Sequence, residues 1–202
     1  MGEEKAEKAA KKEKSTPLVI VVSSPSGGGK TTIVKKLINK MPGIRQSVSY
    51  TTRPPRSGEE NGKDYIFISE EEFDRKIQDG EFLEWENNFG HYYGTSSQQI
   101  AKAMSEGDDV IMSIDVRGGL NVKAKMPESV SVFIMPPSIE ELVARLEKRN
   151  TEAKDQRETR LKEARREITT GEGYDHSIVN KDLEQATEEL RRIIEKERKN
   201  RE

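Results

Sequence analysis

The sequence predicts an α/β fold: a mostly parallel sheet with helices on its faces. Three observations predict it. Residues 18–22, "LVIVV", form a continuous apolar run of the kind shown by a strand buried on both faces. Further strands are expected at 109–115, 129–135 and 176–180, with helical spacing between and after them, an alternation that builds parallel sheets. Finally, a glycine-rich turn, "SSPSGGGKTT" at 23–32, joins the first run to a helical pattern.

Taken in chain order, residues 1–16 hold five lysines and four glutamates with alanine as the main apolar filler. They bury too little surface to offset ordering entropy, so a solvated charged tail is expected. Its glutamates neutralise most of the lysine charge, which argues against a nucleic-acid arm. After Pro17 and the first strand, Ile33, Val34, Leu37, Ile38 and Met41 fall at helical spacing, and Pro42-Gly43 supplies the stop. Residues 47–96 break the alternation. Eight of the eleven aromatic residues lie between Tyr65 and Tyr93, which predicts an inserted lobe with its own small core or an aromatic-lined pocket. Within it, Trp85 is expected to fill core. Residues 150–173 break the pattern differently, being rich in arginine, glutamate and threonine; such a segment moves or closes over something charged. The last helix carries Leu183, Ala186, Leu190, Ile193 and Ile194 on one face, an ordinary packing stripe.

Composition sets the outer bounds. A chain of 202 residues supports one substantial domain with insertions. Charged residues make up 36%, yet the formal net charge is only −2, so no global field favours nucleic acid or a membrane surface. Any anion site must be local. The absence of cysteine excludes disulfides, thiolate metal sites and cysteine nucleophiles, and agrees with a cytoplasmic protein. No apolar stretch approaches the length of a membrane span. His91 and His176 stand far apart in the sequence and are expected to be structural or incidental, with no metal site suggested.

The turn at 23–32 carries the chemistry. A phosphate loop reads G-x-x-x-x-G-K-[ST]; Gly29, Lys30 and Thr31 match, and Ser24 stands where the first glycine is expected. In such a loop successive backbone N–H groups turn inward on a phosphate, the next helix adds its N-terminal partial charge, the lysine reaches the terminal phosphates and the hydroxyl ligates magnesium. Ser26, Gly27, Gly28, Gly29, Lys30, Thr31 and Thr32 are the candidates for binding ATP. A glycine-rich connector is the bland alternative, but the strand before and the helix after favour a nucleotide site. The fold expectation becomes a P-loop NTPase-type sheet, which alone leaves ATPases, GTPases, kinases and sulfotransferases open.

Residues 47–65, "SVSYTTRPPRSGEENGKDY", supply Arg53 and Arg56, stiffened by Pro54 and Pro55. Forked guanidinium donors suit a phosphate. This segment, "GEFLEWENNFGHYYGT" at 80–95, the phosphate loop and "IVN" at 178–180 together resemble guanylate kinase, and the resemblance runs from Leu18 to Ile194. It implies transfer of the γ-phosphoryl of ATP to GMP with magnesium, by a core (17–46, 97–149 and 174–202), a GMP-binding lobe (47–96) and a helical lid (150–173).

Carried over by position, the resemblance implies a GMP site of Ser49, Arg53, Arg56, Tyr65, Glu84, Tyr93, Thr95, Ser113 and Asp115. Glu84 suits guanine independently, because a carboxylate accepts from N1–H and the 2-amino group, a donor pair that adenine lacks. Ser113 departs from the family, which usually has an acid there, and Arg117 replaces a usual glutamine. Selectivity then rests more heavily on Glu84. Arg145, Arg149 and Arg160 match positions that reach over ATP, and Asn180 one near the adenine and lid hinge. Lys30, Arg53, Arg149 and Arg160 are expected to neutralise the migrating phosphoryl, with Thr31 on magnesium and Asp115 reaching it through water. Two rivals remain: a phosphopeptide-binding scaffold of the same fold, and a kinase for another nucleotide or a phosphorylated sugar. Neither composition nor motifs fix the oligomeric state.

Overall fold

The structure is a computed structural model that describes residues 16–88, 90–148 and 154–201, and the side chains among them except those of 146–148 and 154–161. The chain opens with β1 (Val19–Ser23), α1 (Lys30–Lys40), β2 (Ile44–Gln46), β3 (Tyr50–Thr51), β4 (Ile66–Phe67) and α2 (Glu70–Gln78). It continues through β5 (Phe82–Asn88), β6 (His91–Ser96), α3 (Ser97–Ser105), β7 (Asp109–Ser113) and α4 (Val116–Lys125). The last elements are β8 (Val130–Met135), α5 (Ile139–Lys148), α6 (Lys154–Gly171), β9 (His176–Val179) and α7 (Leu183–Lys199).

Five strands form a wholly parallel sheet in the order β2-β7-β1-β8-β9, with Ile20 opposite Ile111 on one side and Val130 on the other. Central β1 is buried along its length, and its side chains alternate between two cores. Leu18, Ile20 and Val22 join α1 and α7 through Ile33, Val34, Leu37, Ala186, Leu190 and Ile194. Val19 and Val21 face α3 and α4 through Ile100, Ala103, Val116 and Val122, with Phe133 and Tyr174 alongside. Each fully buried aliphatic contributes about 1.5–3 kcal/mol, so the apolar run specifies the middle of the sheet. Asp109 fixes its foot by accepting from the Leu18 N–H at 2.8 Å and from Arg198 Nε at 2.6 Å.

Residues between β2 and α3 build a second sheet, order β4-β3-β6-β5, in which β3 and β4 run parallel and the other pairs antiparallel. Its apolar side holds an aromatic cluster: Phe73 from α2 lies 4.6 Å from Phe82 and 5.3 Å from Tyr92 between ring centroids, and Tyr50 meets Phe82 edge-on. Gly94 makes the room, since a Cβ there would come within 3.0 Å of both phenylalanines. Trp85 corrects the expectation that it fills core: it is 42% exposed. Strand alternation is the reason, because β5 turns Phe82 and Glu84 inward and leaves residue 85 on the outer side.

Part of the charged segment at 150–173 is helical. Helix α6 is held at its C-terminal end by buried Ala164 and by Gly171, whose absent side chain lets Phe133 approach; a Cβ there would lie 2.5 Å from that ring.

Candidate active site

The phosphate loop leaves the C-terminal end of β1 and enters α1, the end of a parallel sheet where ligands bind. Gly27 and Gly29 have φ of 87° and 97°, left-handed values that favour glycine. Gly29 caps α1 without a side-chain hydrogen bond, so the first-turn N–H groups remain available to an anion. Gly28 is required by Ser24. A Cβ at residue 28 would sit 2.9 Å from the Ser24 Cβ, so the serine in the first motif position is accommodated by the glycine four residues on. Thr31 and Thr32 are exposed in the first helical turn.

Asn180, just beyond β9, clamps this loop. Its side-chain amide donates to the Gly28 carbonyl at 2.9 Å, is buried, and packs so closely on Gly29 that a Cβ there would approach it to 2.3 Å. The Asn180 backbone N–H donates to Met135 at 2.8 Å, and Arg145 donates to the Asn180 carbonyl at 3.3 Å while pairing with Glu141. Arg145 therefore reaches the loop's support. Arg149 lies outside the described residues, as does the side chain of Arg160 on α6.

Lys30 Nζ donates to the Ile114 carbonyl at 2.6 Å and stands 3.7 Å from an Asp115 oxygen. Asp115 begins α4, and its other oxygen accepts from the Asn88 amide at the end of β5. The helix that follows is bare where it matters: a Cβ on Gly118 would lie 2.5 Å from a Glu84 oxygen, and one on Gly119 would meet the Tyr174 hydroxyl. Glu84 is 5% exposed and accepts from the Thr95 hydroxyl at 2.5 Å. Burial pushes its carboxyl up to about 7 against the lowering effect of Thr95, with Asp115 and Glu86 adding to the rise and Lys30 opposing it.

Arg53 is buried. Its Nη2 alone donates to both Glu59 oxygens at 2.8 and 2.9 Å, its Nη1 donates to the Pro54 carbonyl at 2.7 Å, and the guanidinium lies over the Tyr65 and Phe67 rings at 5.5 and 5.9 Å. Glu59 also accepts from the Arg56 N–H at 2.7 Å, and the Arg56 side chain is exposed. Tyr65 and Tyr93 meet edge-on at 5.9 Å; burial first, then Tyr93 and Asp115, push the Tyr65 hydroxyl up to about 12, with Arg53 opposing, so it stays a donor. Ser49 is half-buried before β3 and its carbonyl accepts from the Ile66 N–H at 2.9 Å. Ser113 is half-buried at the end of β7, opposite Val22. Arg117 is exposed, and nothing in the structure explains it.

Sequence reading missed three participants. Glu59 is three residues past Arg56, a spacing that a turn closes. Asn88 carries no signal in a polar strand end. Glu167 accepts from the Ser26 N–H at 3.4 Å, and its signal was the small residues Ala164 and Gly171 at helical spacing on either side.

Sheet order, glycine-bound turn and helix-start lysine define a phosphate-loop kinase fold. Shikimate kinase from Bacteroides thetaiotaomicron shares it, with a TM-score of 0.50 and 15% identity over 88% of this chain and 98% of that one, a likeness of fold alone. The Guanylate kinase family matches residues 15–197, and the chain belongs to that family. Curated guanylate kinases from Caldanaerobacter subterraneus subsp. tengcongensis and Symbiobacterium thermophilum are 46% and 48% identical over 162 residues, covering 80% of this chain and 79% and 77% of theirs. The crystal structure of guanylate kinase from Anaplasma phagocytophilum superposes with a TM-score of 0.77 at 36% identity, covering 92% of this chain and 88% of that one.

Proposed function

We propose that the two anion pockets carry out the reaction of this family, with ATP held at the phosphate loop and GMP against the second sheet. A guanylate kinase is a nucleoside monophosphate kinase that moves the γ-phosphoryl of ATP to GMP and releases ADP and GDP. One observation carries the assignment of sites: residues Ile114 to Gly118 touch both pockets, taking Lys30 on one side and Glu84 on the other. A donor's terminal phosphate beside Lys30 and an acceptor whose base reaches Glu84 then lie across a wall five residues long.

Residues 26–32 supply amides and the Lys30 ammonium to the ATP phosphates. Arg53 and Arg56 take the GMP phosphate, displacing Glu59, whose two carboxylate oxygens occupy Nη2 of Arg53 as an oxyanion would. Tyr65 and Tyr93 donate hydroxyls beside it; Glu84, which accepts from Thr95, reads guanine, and Ser49 and Ser113 belong to the same site by position in the family pattern. Phosphoryl transfer needs positioning and charge neutralisation more than covalent chemistry, and Arg149 and Arg160 belong to that role by position. Residues 47–96 act as the GMP lobe and 150–173 as the lid, whose closure excludes water.

The donor set suits magnesium. Thr31 offers a hydroxyl and Asp115 a carboxylate 39% exposed, while no cluster of three His, Cys, Asp or Glu stands among the described residues. Magnesium keeps several waters and takes phosphate oxygens, so two protein oxygens suffice. When bound it neutralises the β- and γ-phosphate charge. Among the described residues no helix is long and apolar enough to cross a membrane; cytoplasmic residence is part of the proposal.

The test is ADP release in a coupled assay with ATP and, in turn, GMP, dGMP, AMP and UMP. GMP should be the preferred acceptor. No turnover with any acceptor would leave a phosphopeptide-binding scaffold in its place, and preference for AMP or UMP would remove Glu84 as the base reader.

A further inference from the structure

The face of α6 that packs on the core carries a carboxylate that the reaction does not use. Ala164 and Gly171 are buried on that face, and Glu167 lies between them at helical spacing. The Gly171–Phe133 contact fixes how this end of the helix sits, so Glu167 is directed inward instead of into solvent. It meets the phosphate loop there: Glu167 Oε2 accepts from the backbone N–H of Ser26 at 3.4 Å. Lys30 on the loop and Asp115 at the start of α4 both act on it electrostatically, as does Glu163 one turn back on its own helix.

A phosphate loop works by presenting backbone N–H groups to an anion. An anion already attached to one of them, on a side chain with rotatable bonds, is a competitor for the same donor. It also adds negative charge beside a ligand that carries several.

We infer that Glu167 is an anionic placeholder in the ATP pocket: it takes a loop amide in the nucleotide-free chain, and ATP entry must turn its carboxylate out. The inference rests on the reading of residues 24–32 as the ATP loop. It gives α6 a direct reporter of loop occupancy, because the residue that must move belongs to the helix of the proposed lid segment itself. The opposite role has the opposite sign. If Glu167 instead braced the loop in its binding shape, removing it would weaken ATP.

Calorimetric titration of ATP with magnesium, without GMP, decides between them in the wild-type chain, Glu167→Gln and Glu167→Ala. Measurement at pH 8 keeps the carboxylate ionised, since burial, reinforced by Asp115, pushes it to about 7. Both variants should bind ATP at least about fivefold more tightly than wild type, the size of a modest coupling between two ligands of one site. GMP affinity measured without ATP should stay within about twofold. Unchanged or weaker ATP binding overturns the placeholder, and so does an equal tightening toward GMP. Should the alanine variant fail to fold, the near-isosteric glutamine variant decides alone. ATP binding by the wild-type chain is read in the same titration, and its absence would remove the loop assignment along with the placeholder.

Discussion

Glu84 shows how one side chain's environment sets its chemistry. On the proposed reading, accepting from guanine N1–H and the 2-amino group requires the ionised carboxylate, yet burial raises this group to about 7. For an acid with a raised value, the neutral form dominates below it and the ionised form above. kcat/KM for GMP should therefore fall as pH drops through about 7, approaching tenfold per pH unit well below it, in a profile measured from pH 5.5 to 8.5. Glu84→Gln should flatten that limb and lower kcat/KM by about 100-fold at pH 8, the loss of charge-assisted hydrogen bonds in a buried site. A profile that keeps its acid limb in the glutamine variant assigns the titration to another group. Ser113 is the complementary case. A neutral hydroxyl in place of the family's acid gives up about 1 kcal/mol of hydrogen-bond strength, so Ser113→Asp should lower KM for GMP about fivefold at pH 8. An unchanged or higher KM would detach Ser113 from the base.

Elements owe their positions to contacts of unequal visibility in the sequence. The buried strands at 19–23, 109–113 and 130–135 were readable from apolar runs because a parallel strand covered on both faces needs no polar alternation; the edge strand at 176–179 buries only Ile178. Strands of two or three residues, β2, β3 and β4, show no period at that length and were not readable. Motif spacing marked the phosphate loop, but not what holds it. Asn180, 152 positions beyond Gly28, supports it through a contact that only the folded sheet creates. That contact gives a double-mutant test by urea denaturation. Gly29→Ala forces an alanine into a left-handed conformation and into the Asn180 amide, costing about 1–3 kcal/mol or more. Asn180→Ala orphans the Gly28 carbonyl and costs about 1–3 kcal/mol. The double variant should lose less than the two combined, by about 0.5 kcal/mol or more, since the clash vanishes with the asparagine. Strict additivity would mean the loop relaxes away from Asn180 at no cost.

For the whole molecule the question is how two sheets with separate cores make one site. The aromatic cluster and the apolar sandwich were legible separately from composition; the join was not, because it consists of single residues of β5 meeting α4, Leu83 packing on the core and Glu84 against Gly118, together with isolated polar side chains. Trp85 shows the same limit, since its size suggested core while the register of β5 put it outside. Polar contacts of different kinds bridge the sheets, among them Asn121 and Lys125 of α4 donating to Glu86 and to the Leu83 carbonyl of β5. Lys35 on α1 pairs with Asp64 at 2.6 Å at the surface, where the pair holds the Asp64 carboxyl below its ordinary value. Asn88 at the tip of β5 donates to Asp115 beside Lys30, at the proposed reacting centre. An exposed ion pair gains little in water and is screened by salt, whereas a hydrogen bond to a half-buried carboxylate holds more firmly, and on the proposed reading it would position the GMP lobe. Asn88→Ala should therefore raise KM for GMP about fivefold while ATP affinity without GMP stays within about twofold. Lys35→Ala should leave both within about twofold at 0.15 M salt. Initial-rate kinetics and ATP titration on the two variants read this directly. Equal effects of the two substitutions would mean that the lobe is held by its packing on α4, and that the polar contact at Asp115 only accompanies it.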